Sequence, residues 1–186
     1  MTYRPICDTW LLARPKLKNG ARYYGSFPSG FLPRARALLG VGPDDAVLHV
    51  CSGRAGEHLF GGFGRNDRTV DIDRSLKPDF VMDVREELPP YGRTGWPAIL
   101  ADPPYTEDDA DHYTSGRERL PQAGPLLARC LQYVRPDGRV GFLHYVFPRP
   151  PRNLLAYTVR LVAVVGVIAG YDNRMRAFSV FEKVKP

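Results

Sequence analysis

Apolar runs rich in β-branched and aromatic residues recur along this chain, each bounded by polar, glycine or proline positions. Such runs predict buried or half-buried strands. The predicted strands lie at residues 46–50, 68–73, 79–84, 97–101 and 139–147, followed by one within 158–169 and an alternating run at 175–184. Helices are predicted at 31–40, where Gly40 is the stop signal, and at 124–134. Strands that alternate with helical or loop segments favour an α/β domain.

The segments between these elements predict turns. "PDG" at 136–138 should end the helix before it, and 153–157 reads as a short helix or turn. "GYDNR" at 170–174 has the composition of a hairpin turn. The last strand should therefore run antiparallel.

Length and charge narrow the possibilities further. The chain has 186 residues, enough for one domain with a proper core, and we expect residues 45–186 to form that core and 1–44 an N-terminal extension. The net charge is +6, carried mostly by arginines that are scattered along the chain. This charge favours a polyanionic partner such as nucleic acid.

Cysteine and histidine usage predicts neither disulfides nor a metal site. The three cysteines, Cys7, Cys51 and Cys130, are widely spaced, and His58 and His144 have no partners at ligand spacing. A reducing, cytoplasmic setting is the simplest interpretation. The first 25 residues lack an apolar stretch of the signal-peptide kind, and the apolar run at 161–170 is about half as long as a membrane-spanning helix.

Glycines and carboxylates stand at the ends of four successive predicted strands. They are Gly53 and Gly56, Asp71 with Asp73, Asp83, and Asp102. In an open parallel sheet, ligands bind outside the carboxyl ends of the strands. Glycines let the backbone approach a ligand, a carboxylate can bind both hydroxyls of a ribose, and a further carboxylate can accept from an adenine amino group. The order fits an adenosine-containing ligand, although each feature alone is also typical of a turn or a helix cap.

"DPPY" at 102–105 stands at the end of the fourth of these strands. Two prolines fix two φ angles and remove two amide donors, so the Asp102 side chain and the Pro103 carbonyl can be held as a pair of acceptors. Tyr105 would present a flat ring beside them. Two acceptors and a ring suit the exocyclic amine of a nucleobase that has been drawn out of its stack.

These residues resemble the class I S-adenosylmethionine-dependent methyltransferases, and within them the DNA adenine-N6 amino-methyltransferases that carry a "DPPY" motif. The resemblance implies a Rossmann-like fold with a mostly parallel seven-stranded sheet and a terminal antiparallel strand. It also implies that Asp102 and the Pro103 carbonyl hold the target amine, that Pro104 belongs to the same catalytic motif, and that Tyr105 stacks on the base.

The same resemblance implies S-adenosylmethionine as cofactor. Residues 47–56 are similar to the family's glycine motif, 70–73 to its ribose-binding motif, 82–84 to its adenine-contacting motif, and 23–31 to a motif upstream of the first strand. The implied cofactor-binding residues are Phe27, Pro28, His49, Cys51, Ser52, Gly53, Asp71, Ile72, Asp83, Val84 and Asp102.

Two positions depart from the family pattern. His49 stands where the family usually has an acidic residue, and Ala55 replaces a glycine.

Cys51 lacks the Pro-Cys setting of a cytosine-C5 nucleophile, so it is interpreted as a small buried residue of the glycine loop.

Further candidate substrate contacts flank the catalytic motif. The acidic segment 106–116 would bring His112 or Tyr113 to the target base, or it is a solvated loop with helix-capping carboxylates. Arg149 and Arg152 would contact a phosphate backbone, or they belong to a stiff proline-rich connector.

The sequence therefore predicts methyl transfer to an exocyclic amine of a nucleobase, with adenine N6 in DNA first and DNA favoured over RNA as partner. A homodimer or a specificity partner remains open, because the chain leaves no room for a separate target-recognition domain. One alternative is methylation of guanine N2 in ribosomal RNA. The other is a non-catalytic nucleic-acid-binding module that keeps the fold.

Overall fold

The computed structural model describes residues 3–13, 27–57, 61–113, 120–151, 157–170 and 174–184. The α-helices are α1 (Phe31–Leu39), α2 (Glu107–Tyr113) and α3 (Ala123–Tyr133). The strands are β1 (Ile6–Leu12), β2 (Val47–Val50), β3 (Arg68–Asp71), β4 (Phe80–Val81), β5 (Trp96–Ala101), β6 (Val134–His144), β7 (Thr158–Ala169) and β8 (Met175–Val184).

The strands form one sheet in the order β1-β7-β8-β6-β5-β2-β3-β4. The β8 strand pairs antiparallel with both β6 and β7, and the other pairs are parallel. The mostly parallel sheet with an antiparallel last strand is thus confirmed. Although β8 is last in the sequence, it lies inside the sheet, because it inserts between β6 and β7.

The strand count differs from the predicted seven, since the described residues contain eight strands in the sheet. The extra strand is β1, which pairs in parallel with β7 from Ile6 opposite Ala163 to Leu12 opposite Ala169. Most of its side chains are exposed and Leu12 is the buried one, so the strand lacks the alternation that sequence analysis relies on. The segment expected to be an extension therefore forms an edge of the sheet.

Left-handed glycines bound α1 at both ends. Gly30 precedes it with φ 79°, and Gly40 follows it with φ 68° and donates its N–H to the carbonyl of Ala37. Only glycine adopts this conformation without a steric cost, which explains why the helix stops where the sequence predicts.

The structure corrects the turn predicted after α3. The helix ends at Tyr133, and β6 begins at once with Val134. Residues 136–138, expected in a turn, lie within the bounds of β6. Asp137 there has φ 60°, and a Cβ at Gly138 would lie 2.7 Å from Val134 Cγ2, so the strand is irregular at this point. The predicted turns at 153–157 and 170–174 fall largely outside the described residues.

Hydrophobic clusters cover both faces of the sheet. On one face α3 buries Leu127, Cys130 and Leu131 against residues of the central strands. On the other, α1 buries Phe31, Leu32 and Ala35. Burial on both faces is typical of a parallel sheet and leaves the ends of the strands as the place for polar chemistry. No helix in the described part of the chain is long and apolar enough to span a membrane.

Candidate active site

The carboxyl ends of β2 and β5 meet where the order of the strands reverses. Chain order runs outward from β2 to β3 and β4 on one side, and from β5 to β6 on the other. The Asp102 N–H donates to the carbonyl of Val50 at 3.1 Å, which joins the two strand ends directly. Ligands of open α/β sheets bind at such a switch point. The glycine loop and the Asp-Pro-Pro-Tyr motif therefore lie side by side.

The glycine loop after β2 has two residues in the left-handed region. Gly53 has φ 51° and Cys51 has φ 55°. A Cβ at Gly53 would meet no atom within 4 Å, so backbone conformation rather than lack of space favours glycine there. The Gly53 N–H donates to Asp71 Oδ2 at 2.9 Å, which ties the loop to the end of β3.

Cys51 is a non-glycine residue in a conformation that costs about 1 kcal/mol. Removing its Cβ should relieve this cost, so we expect Cys51→Gly to be more stable than Cys51→Ala by about 1 kcal/mol in chemical denaturation. At Cys7, in strand β1, the order should be the ordinary one, with alanine more stable than glycine. The same order at both cysteines would contradict the strain at Cys51.

Asp71 lies at the end of β3 with both carboxylate oxygens anchored. Oδ2 accepts from Gly53 N, and Oδ1 accepts from Asp73 N at 3.0 Å. Burial raises the pKa of Asp71, and the backbone N–H groups of Asp73 and Gly53 act against this rise. Ile72 follows half-buried beside it. Two backbone N–H groups therefore anchor the Asp71 carboxylate at the carboxyl end of β3.

Asp83 and Val84 follow β4 at the same edge. Val84 is buried in the core. The carboxylate of Asp83 accepts from Arg85, with Oδ2 at 2.6 Å from Nη2 and Oδ1 at 3.0 Å from Nε. An adenine amino group at this carboxylate would therefore share it with a guanidinium, a partner that the motif alone does not indicate.

Asp102 and Tyr105 contact each other within the motif. The Tyr105 hydroxyl donates to Asp102 Oδ1. Burial raises the pKa of Asp102 to about 7, opposed by the Tyr105 hydrogen bond and the charge of Arg176, while the charge of Asp109 raises it further. Pro103 is buried and Pro104 half-buried between them. The carboxyl group thus changes its charge near neutral pH, which is typical of functional carboxylates.

An aromatic cluster surrounds Tyr105. Its ring centroid lies 4.5 Å from that of Tyr145 and 5.2 Å from that of His144, which it meets edge on. The Arg176 guanidinium lies 5.7 Å from the centre of the Tyr105 ring and 6.0 Å from that of Tyr145. Sequence analysis missed Tyr145 and Arg176 because the antiparallel pairing of β6 with β8, which sets Ala177 opposite His144, brings them together.

His144 is fixed in one tautomer. Its Nδ1 accepts from the Val146 N–H at 3.0 Å, so the ring proton resides on Nε2. Burial lowers the pKa of His144, against a smaller opposing effect of the Asp109 charge. A neutral imidazole therefore forms one wall of the cluster.

His49 occupies the position where the family resemblance leads us to expect an acidic residue, and its side chain contacts a carboxylate instead of supplying one. It is buried, its Nε2 lies 3.0 Å from Asp67 Oδ2, and its ring stacks on that of Phe63 at 4.9 Å. Because a carboxylate can only accept, Nε2 carries the proton. The Nδ1 atom is buried and has no hydrogen-bond partner among the described residues, and the same holds for Ser52 Oγ.

Asp67 is the buried carboxylate that sequence analysis missed. It accepts from the Arg36 guanidinium at 2.8 Å and from the backbone N–H groups of Val47 and Gly64. Burial alone would raise the pKa of Asp67, but hydrogen bonds from His49, Gly64 and Arg36 and the charge of His49 hold it below its usual value. Asp67 thus precedes β3 and ties His49 to the amino ends of β2 and β3.

The remaining predicted residues are only partly described. Phe27 stacks on Phe31 at 5.0 Å, and the Pro28 carbonyl accepts from the Phe31 N–H, so the end of the upstream motif packs against α1. Arg149 is exposed in the segment after β6. The side chains of His112 and Tyr113, at the end of α2, and all of Arg152 lie outside the described residues. Within the described ranges, no group of three or more histidine, cysteine, aspartate or glutamate side chains could hold a metal ion.

Comparison with known proteins supports the fold and leaves the family open. No protein-family model and no curated protein sequence matches this chain. TrmN from Thermus thermophilus is similar in structure, with a TM-score of 0.52 and 19% identity over 86% of this chain, which spans about half (50%) of the TrmN chain.

Two further solved structures are similar over most of their own length. The 1,6-didemethyltoxoflavin-N1-methyltransferase of Burkholderia thailandensis, solved with its substrate and S-adenosylhomocysteine, has a TM-score of 0.52 and 17% identity over 84% of this chain and 80% of its own. The YcgJ protein of Bacillus subtilis has a TM-score of 0.51 and 9% identity over 83% of this chain and 98% of its own. At identities this low, structural similarity supports the fold and says nothing about the substrate. The chain therefore has the Rossmann-like fold of class I methyltransferases.

Proposed function

We propose that this chain is an S-adenosylmethionine-dependent N-methyltransferase that acts on the exocyclic amine of a nucleobase, with adenine N6 in DNA as the preferred target. The observation that carries the proposal is the position of the Asp-Pro-Pro-Tyr motif. It follows β5 at the switch point of the sheet, joined to the end of β2 by the hydrogen bond from Asp102 N to Val50 O. An amine held there would lie next to a ligand held by the glycine loop.

The residues of the crevice fit the proposed cofactor. His49 Nδ1 and Ser52 Oγ are buried polar atoms without a partner among the described residues, and polar groups of a ligand would satisfy them. Asp71 is held with its carboxylate at the crevice, where it would bind the ribose hydroxyls. When bound, S-adenosylmethionine supplies an electrophilic methyl group on a sulfonium. In the similar Burkholderia enzyme, the related S-adenosylhomocysteine is bound.

The residues of the chain would orient and deprotonate the amine. The Asp102 carboxylate and the Pro103 carbonyl would each accept one N–H, which aims the nitrogen lone pair at the methyl group. The Tyr105 ring would stack on the base and replace the neighbours that the base loses on leaving its stack. After transfer the nitrogen carries a surplus proton, and an Asp102 whose pKa is about 7 can accept it.

Exposed arginines at the carboxyl ends of the parallel strands support a nucleic-acid substrate, although they lie among the carboxylates of the strand ends and the acidic helix α2. Exposed arginines flank the crevice at the carboxyl ends of the parallel strands: Arg54 after β2, Arg74 after β3, Arg149 after β6 and Arg174 before β8. Arginines so placed would bind the phosphates on either side of an extruded base.

Adenine N6 and guanine N2 are both flat exocyclic amines, so the motif suits either of them. Incubation with DNA and with RNA, each then digested to nucleosides, separates the main proposal from the ribosomal RNA alternative.

Cofactor binding tests the first half of the proposal. We expect wild type to bind S-adenosylmethionine in isothermal titration calorimetry, and Asp71→Asn to bind about tenfold more weakly, because a charge-assisted hydrogen bond to the ribose is lost. Asp79→Asn removes a carboxylate that caps Thr69 at the opposite end of β3 and should leave the affinity unchanged. An intact fold that binds no cofactor would favour the non-catalytic module.

A further inference from the structure

The guanidinium of Arg176 lies beside the catalytic motif without belonging to it. Arg176 is near the start of β8 and half-buried, and its guanidinium faces the rings of both Tyr105 and Tyr145. Because β8 runs antiparallel to β6 and β7, its start, with this positive charge, lies at the carboxyl ends of the parallel strands. The charge of Arg176 favours the ionised form of Asp102, and the Tyr105 hydroxyl, whose ring Arg176 faces, donates to the same carboxylate.

We propose that Arg176 is a positioning residue that favours the ionised form of Asp102 and helps to hold the Tyr105–Tyr145 ring pair in place for the target base. The inference rests on the proposed function and deepens it. A protonated carboxyl group can no longer accept an amine N–H through both oxygens or take up the proton released by methylation. The ionised state of Asp102 is therefore the active one.

Several groups facing Asp102 and its tyrosine oppose or assist this role. Tyr105, in the loop after β5, donates to the carboxylate and favours its charge, as Arg176 on β8 does. Asp109 on α2 disfavours it. Cys51, in the loop after β2, has its pKa raised by burial and then by nearby carboxylates that include Asp102, so it stays a neutral thiol.

His144 and Tyr145 complete the surroundings of Tyr105 from β6 and the residue after it. Burial lowers the pKa of His144, so this ring adds no charge near neutral pH. Arg174, before β8, is a second cation beside the rings and donates to the Tyr145 hydroxyl at 3.1 Å. The charge of Arg176 is the one that favours ionised Asp102, and removing it leaves the like charge of Asp109 in place.

The expected effect is a shift of the pH profile. With a wild-type pKa of about 7, about half of the Asp102 groups are ionised at pH 7. Removing a neighbouring cation raises a carboxyl pKa by about one pH unit or more, which leaves about one molecule in ten ionised at pH 7. We therefore expect Arg176→Met to transfer methyl groups about fivefold more slowly at pH 7 and to recover near pH 9, with the affinity for S-adenosylmethionine unchanged.

A direct titration of Asp102 tests the inference without relying on activity. In protein labelled with ¹³C at aspartate carboxyl groups, NMR gives the midpoint of Asp102, which Asp102→Asn identifies by the loss of one signal. We expect the midpoint to rise by about one pH unit in Arg176→Met and in Arg176→Gln, and to remain near the wild-type value in Arg176→Lys. Asp109→Asn should shift it in the opposite direction.

Arg135→Gln is the matched control, because Arg135 is exposed at the amino end of β6, at the opposite edge of the sheet. A midpoint that stays unchanged in Arg176→Met, or in Arg176→Gln where the methionine variant does not fold, overturns the inference. If the midpoint shifts as expected and wild type transfers no methyl group to any nucleic acid, the proposed function fails and the electrostatic role of Arg176 stands.

Discussion

Asp102→Asn is expected to stabilise the fold while it abolishes methyl transfer. Burial raises the pKa of Asp102 to about 7, from a value of 3.8 in an unfolded chain. The folded protein therefore holds this proton more tightly than the unfolded one, and ionising Asp102 costs stability as the pH rises from about 4 to about 7. Asparagine has nearly the same shape and does not ionise.

The difference between the two pKa values corresponds to about 4 kcal/mol. Solvent screening at this partly exposed residue reduces the expected gain to about 2 kcal/mol. We expect urea denaturation to show this gain above pH 7, and to show it vanish near pH 4, where Asp102 is protonated in both states. Exposed Asp108 on α2 offers a control, since Asp108→Asn should change the unfolding free energy by less than about 0.5 kcal/mol.

The same substitution should lower the rate of methyl transfer by about 10² or more, because the amide cannot take up the amine proton. A variant that is equally active, or one that is less stable than wild type at pH 8, would contradict the role given to Asp102. Higher stability together with lost activity is the signature of a residue retained for chemistry rather than for folding.

Asp67→Ala should destabilise the protein more than other single substitutions at its buried polar groups. Asp67 is fully buried and is the acceptor for Arg36, for His49 and for two backbone N–H groups. Its removal leaves Arg36 Nη1, His49 Nε2 and two backbone N–H groups without this acceptor in the interior, while Arg36 Nη2 still donates to the carbonyls of Gly42 and Asp45. Breaking a buried ion pair in this way costs about 3 to 5 kcal/mol.

Denaturation of three variants would measure this cost. Asp67→Asn keeps an acceptor oxygen and should lose less than the alanine variant. Asp44→Ala breaks an exposed ion pair between Asp44, whose side chain is 69% exposed, and Arg65, whose side chain is 75% exposed. This substitution should lower the free energy of unfolding by less than about 1 kcal/mol. Because hydrogen bonds hold the pKa of Asp67 low, the stabilisation is present at neutral pH and is lost below about pH 4. Equal losses in Asp67→Ala and Asp44→Ala would show that the network is not structurally important.

The parts of the fold that sequence predicted are those with a strong local signal. The apolar runs of β5 and β8 predict strands without knowledge of their partners, although β8 is buried continuously at 178–183 and not on alternate residues, because it lies inside the sheet. The β1 strand could not be predicted, because an exposed edge strand with one buried residue is defined by its pairing with β7.

The candidate site likewise contains residues that the sequence could predict and contacts that it could not. Asp71 and Asp102 follow strands directly, so their convergence follows from a parallel sheet. The Asp67–His49 contact joins β2 to the residue before the neighbouring strand β3, and the Arg176–Tyr105 contact depends on the antiparallel insertion of β8 into the sheet. Such contacts arise from topology, and no spacing in the sequence encodes them.

The identity of the methylated nucleoside tests the central claim most directly. Wild type and Asp102→Asn would be incubated with S-adenosylmethionine carrying a deuterated methyl group and with unmethylated DNA or RNA, which is then digested to nucleosides for mass spectrometry. We expect deuterated N6-methyladenosine in its deoxy form from wild type, at least about 10²-fold less of it from Asp102→Asn, and none from RNA. A labelled methyl group on carbon or oxygen, or equal labelling by the two proteins, would contradict it.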